Sequence, residues 1–141
     1  MPVHDTIHGD INNIHPWDKK PVAHRLASFA LKNDYGKDVS FTGPEFKSAK
    51  SSKGKVIVSF ANVEKGLATK DGKAPNCFEV AADDKVFVIT TAELKRNSLE
   101  VSSEKVKDIK YVRMGWQEIM VPNLMDKNGW PVFQFEGKAV K

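Results

Sequence analysis

The hydrophobic period of this 141-residue chain changes once, near Gly36, and that change limits the folds open to it. Before Gly36, Val22, Leu26, Phe29 and Ala30 stand at i, i+4, i+7 and i+8, an apolar stripe along one helical face. The spacing predicts a helix over Pro21–Asn33. Asp18 offers a carboxylate to a free first-turn N–H, and Pro21 sits where a missing donor costs little. Asn33-Asp34-Tyr35-Gly36 supplies the stop. After Gly36 the period is two. Strands are expected at Val39–Thr42, Lys55–Phe60, Phe78–Val80, Val86–Thr90, Leu99–Ser102 and Ile109–Met114. Turn signals recur at Ser51–Gly54, Lys70–Gly72, Asp83–Lys85 and Lys127–Gly129. Short strands at this spacing, with no second strong helix, favour an antiparallel β-sandwich preceded by one amphipathic α-helix. The chain accordingly divides into residues 1–36 and 37–141.

The helix poses a packing question, because an apolar stripe has to be covered. The first fifteen residues cannot build a partner layer. Either the stripe lies on the β region, or it belongs to a larger domain whose remainder is elsewhere.

Composition and charge exclude several classes. With 40% hydrophobic residues the chain is too apolar for intrinsic disorder, and no apolar run approaches the roughly 20 residues of a membrane span. Residues 1–10 hold two His and two Asp and no apolar core of a signal peptide. One cysteine, Cys77, excludes an internal disulfide and a multi-cysteine zinc site, and it reads as a small buried hydrophobe. The net charge of +4 comes from 22 Lys and Arg scattered among 18 Asp and Glu. Only Arg25, Arg96 and Arg113 are arginine, and no basic stripe interleaves with aromatics, so no nucleic-acid partner is expected.

All four histidines, His4, His8, His15 and His24, fall within the first 24 residues. His4 and His8 are four apart, but Pro2, Gly9, Pro16 and Asn12-Asn13 argue against a helix there, so no metal site is expected. His24 reads as a packing or surface residue of the helix. His15 precedes the helix on a loop that Pro16 stiffens. It is either an ordinary turn histidine or an imidazole fixed well enough for general-base work. Trp116 and Trp130 are likewise either core and rim residues or sugar-stacking platforms.

The run Ile14-His15-Pro16-Trp17-Asp18-Lys19-Lys20-Pro21-Val22-Ala23-His24-Arg25-Leu26-Ala27 resembles the C-terminal block of the sialate O-acetylesterase family, SGNH (GDSL-type) hydrolases. The likeness continues through Tyr35-Gly36-Lys37, Thr42-Gly43-Pro44 and Gly66-Leu67-Ala68-Thr69-Lys70-Asp71-Gly72. It ends with Val112-Arg113-Met114-Gly115-Trp116, Asn123-Leu124 and Gly129-Trp130-Pro131-Val132-Phe133, so it spans roughly residues 1–135. The resemblance implies the last loop and helix of a hydrolase domain, followed by a β-sandwich.

It also implies that His15 takes the proton of a serine hydroxyl and returns it to the leaving sugar alkoxide. Where relatives often have an orienting Asp, this chain has Asn12 and Asn13; Asp10 and Asp5 are the nearby substitutes. The family's G-D-S block is absent, since Gly9-Asp10 is followed by Ile11. The resemblance thus implies a C-terminal fragment of a carbohydrate O-acetylesterase, with His15 but no nucleophile, inactive alone and needing no cofactor. Trp116 and Trp130 are its candidate substrate contacts. The implied partners are an O-acetylated sugar and an N-terminal hydrolase domain or a second chain supplying it, with self-association through the exposed helix. Export to an extracellular or periplasmic space is implied as well. The alternative is a stand-alone β-sandwich module binding carbohydrate or protein, with the helix as a docking element.

Overall fold

The computed structural model describes Thr6, His15 and residues 18–63, 65–117 and 121–140. Among the described residues one α-helix, α1 (Lys20–Asn33), precedes nine strands. These are β1 (Glu45–Ser52), β2 (Lys55–Ala61), β3 (Leu67–Thr69), β4 (Phe78–Ala81), β5 (Val88–Leu94), β6 (Ser98–Ser102), β7 (Tyr111–Met114), β8 (Leu124–Asp126) and β9 (Phe135–Val140). The helix starts one residue later than an Asp18 N-cap would place it, although the Asp18 carboxylate still takes up an N–H there. Lys19 is the cap residue, and Asp18 Oδ1 accepts the Lys20 N–H at 3.1 Å. At the other end the Asp34 and Lys37 N–H groups reach the Ala30 and Leu31 carbonyls, and Gly36 at φ 62° turns the chain away.

Seven strands close into a barrel in the order β1-β2-β6-β5-β4-β7-β9, while β3 and β8 form a separate pair. This corrects the expected antiparallel β-sandwich. Period-two alternation states that one face of each strand is buried, but two stacked sheets and one closed ring satisfy it equally. The choice is made by β9, which lies antiparallel to β7 and parallel to β1 through Ala49–Ala139 and Lys50–Val140. An odd number of strands cannot close with antiparallel neighbours throughout, so seven strands require one parallel seam.

Local chemistry explains the remaining departures. Residues 39–42 form no strand, and the first barrel strand is β1, whose Ala49 is its only fully buried side chain. The β1–β2 turn has Lys53 at φ 49° and Gly54 at φ 78°, the twist that suits a two-residue hairpin. The expected strand Val86–Thr90 starts later, because Asp84 Oδ1 accepts the Val86 N–H and prolongs the turn.

The core is the inside of the ring. Val56, Val58 and Phe60 from β2, Phe78 and Val80 from β4, Leu99 and Val101 from β6, and Val112 and Met114 from β7 are all buried. Each such side chain contributes about 1.5–3 kcal/mol of burial. Phe135 organises one end: Phe46 stacks on it at 4.9 Å, and Phe60 and Phe78 meet it edge-on at 5.6 and 6.3 Å. Position 137 is glycine because the Phe46 ring occupies the space a Cβ would need.

Candidate functional site

The helix turns its polar side inward. Its buried residues are Arg25 and Ser28. Leu26 and Phe29, centre of the apolar stripe, are 58% and 54% exposed, and Leu31 and Tyr35 are exposed as well. Phe29 meets the Phe41 ring edge-on at 6.1 Å. Of the two expectations for the stripe, covering by the β region is not what the described residues show.

The polar side of α1 rests against the turn between β8 and Pro131, and Asp126 builds that turn. Its buried carboxylate accepts the Asn128 N–H at 2.9 Å, the Asn128 side-chain amide at 3.1 Å and the Trp130 N–H at 2.8 Å. A carboxylate taken out of water needs this many donors. Held this way, Trp130 lies 6.4 Å from the His24 ring and is only 6% exposed. Gly43 packs on the same turn, where a Cβ would collide with the Pro131 carbonyl. Lys20, Pro21, His24, Arg25, Asn128, Gly129 and Trp130 line a pocket of about 320 Å³ between helix and turn.

His15 is exposed, at a bend five residues before α1. Asp5 and Asp10, the candidate orienting acids, lie outside the described residues, as do Asn12, Asn13, His4 and His8. The two tryptophans have different surroundings: Trp130 is buried under the helix, whereas Trp116 is 44% exposed on the barrel wall. Cys77 is half-buried, and burial pushes its thiol up to about 11. Among the described residues no group of three or more His, Cys, Asp or Glu is placed to hold a metal ion. No described helix is long and apolar enough to cross a membrane.

A second cluster on the outer wall escaped sequence reasoning. Arg113 on β7 faces Glu79 on β4 and Glu136 on β9 at matched register positions. Arg113 Nε donates to Glu79 Oε2 at 2.9 Å, and its guanidinium lies 3.7 Å from the centre of the Phe87 ring and 5.7 Å from that of Trp116. The signal was present in Tyr111-Val112-Arg113-Met114, whose alternation turns Arg113 outward. Its partners depend on long-range register, which no local pattern displays.

No family model matches the chain, and no curated protein matches it. Among solved structures it is similar to a segment of a novel carbohydrate acetylesterase from Xanthomonas citri, at 32% identity and a TM-score of 0.84. That likeness covers 94% of this chain and 30% of the other, so this chain spans less than a third of that enzyme's length. Over nearly its whole length, then, the chain is similar to one part of a carbohydrate acetylesterase.

Proposed function

We propose that this chain is the C-terminal part of a carbohydrate O-acetylesterase of the SGNH, sialate O-acetylesterase type. Residues 1–36 complete the hydrolase lobe, and residues 37–141 form an attached barrel. The observation that carries this reading is the reversed helix. Arg25 and Ser28 are buried while Leu26, Phe29 and Leu31 face outward, an arrangement that costs free energy unless another apolar surface covers the outer face. The acetylesterase similar to this chain has more than twice as much further chain with which to cover it.

In the completed enzyme, His15 is the proton shuttle. A serine hydroxyl from the hydrolase lobe attacks the acetyl carbonyl and gives its proton to the imidazole. His15 passes that proton to the sugar oxygen as the acetyl–oxygen bond breaks, leaving an acetyl-serine. Water then attacks the acetyl group, His15 takes the water proton, and it returns the proton to serine as acetate leaves. Asp10 or Asp5 accepts a hydrogen bond from the second ring nitrogen. The substrate is an O-acetylated glycan, with acetylated sialic acids among the family's substrates.

Co-expression with the hydrolase portion of the Xanthomonas citri enzyme tests the docking. The two pieces are expected to co-purify, and Leu26→Asp with Phe29→Asp is expected to abolish that. Co-purification unaffected by the double substitution would remove the helix from the interface.

A further inference from the structure

We propose that Trp116, with the Arg113 guanidinium 5.7 Å from its ring centre and Glu136 beside that guanidinium, forms a platform for a neutral pyranose ring of a glycan chain, on the outer wall of the barrel. The inference rests on the carbohydrate-esterase reading and narrows it, because it concerns which sugars the enzyme is held to.

The indole is exposed, and the turn that carries it is fixed. Gly115, at φ 79°, ends β7 and turns the chain so that Trp116 follows the wall instead of entering the core. The Gly115 N–H donates to the Cys77 carbonyl at 3.1 Å, and its own carbonyl accepts the Gln134 amide at 2.9 Å. A large aromatic left 44% exposed on a pinned turn offers an apolar face at little ordering cost. The axial C–H face of a pyranose is the complementary surface.

The polar groups beside the ring are equally fixed. Glu79, Arg113 and Glu136 form one cross-strand row over β4, β7 and β9. Phe87 covers one face of the guanidinium, and Glu79, itself buried, holds Nε. Glu136 Oε2 stands 3.9 Å from Nη1, too far for a hydrogen bond, so among the described residues the terminal N–H groups donate no hydrogen bond. Planar donors beside an aromatic face are what vicinal sugar hydroxyls require. Glu79 and Glu136 offset the Arg113 guanidinium, so the charged groups nearest the indole leave no unpaired cation for a sugar carboxylate. Lys85, Tyr111 and Lys138 lie one row further along the strands, with Lys85 over the Tyr111 ring.

The test uses the 141-residue chain, labelled with nitrogen-15, and follows the tryptophan indole N–H signals. The probes are soluble β-1,4-linked glucose, xylose and mannose hexasaccharides, with sialyllactose as the acidic probe, each to about 10 mM. At least one neutral hexasaccharide is expected to shift the Trp116 indole signal. Trp116→Ala should weaken that binding about tenfold or more, and Trp116→Tyr should hold it within about threefold. Sialyllactose should leave the signal in place. The proposal is overturned if no neutral hexasaccharide moves the signal, if Trp116→Ala binds as well as the parent, or if sialyllactose competes equally. The measurement needs neither esterase activity nor the helix partner, so its failure leaves the docking result standing, and the reverse also holds.

Discussion

The barrel and the helix follow opposite rules of burial. In β2 the inward residues are Val56, Val58 and Phe60, while Lys55 is exposed and Ser59 lies between, the pattern of an element that meets its core within its own chain. In α1 the inward residues are Arg25 and Ser28, and Leu26, Phe29 and Leu31 are exposed. The barrel is complete in itself, down to the parallel seam between β1 and β9. The helix turns Arg25 and Ser28 inward and leaves Leu26 and Phe29 more than half exposed. Amphipathicity alone says that a helix has two faces; only the packing shows which one the chain itself uses.

That contrast is open to measurement. Its largest expression is the cost of removing a ring. Phe78→Ala, inside the barrel and fully buried, should cost about 3–5 kcal/mol in denaturant unfolding. An equally small cost at Phe78 and at Phe29 would erase the distinction.

Cys77 reports on burial just before β4. Burial raises its thiol from the ordinary value near 9.0 to about 11, so at pH 8 the folded chain should carry about a hundredfold less thiolate than the unfolded one. Reaction with a thiol reagent should slow accordingly in the native state and recover in denaturant. The sign of the linkage follows. The raised value leaves stability unchanged below pH 9 and lowers it between about 9 and 11, where the unfolded chain releases its proton first. Native and denatured chains reacting at one rate would contradict this.

A smaller effect belongs to Gly137. Alanine there pushes its Cβ into the Phe46 ring next to the seam and should cost about 1–3 kcal/mol. Smallest of all, Leu26→Ser with Phe29→Ser should change the stability of the chain alone by only about 0.5 kcal/mol. The same pair should reduce self-association in light scattering, since it removes an exposed apolar face. A large loss of stability would show that the stripe is packed after all.

These differences follow what was legible in the residues. The helix was readable to within one residue because its stripe, Pro21 and Gly36 are local signals. β2, β4, β6 and β7 were readable because β-branched residues alternate there with polar ones. β1 and β9 were not, since Ala49, Gly137 and Ala139 are small residues whose burial depends on the closed ring. Without β9 the sandwich and the barrel look alike. His15 was singled out by its place in a motif, whereas the burial of Trp130 depends on Asp126 organising a turn, and the Arg113 row depends on pairing between distant strands. Tertiary register decided each feature that local pattern left open.

The central claim is that His15 completes a hydrolase whose serine lies on another lobe. Replacing the matching segment of the Xanthomonas citri acetylesterase with this chain, and assaying release of acetate from an acetyl ester, tests it directly. The hybrid should turn over, and His15→Ala should lower kcat by about 10³-fold or more. A hybrid whose turnover survives His15→Ala unchanged would contradict the account.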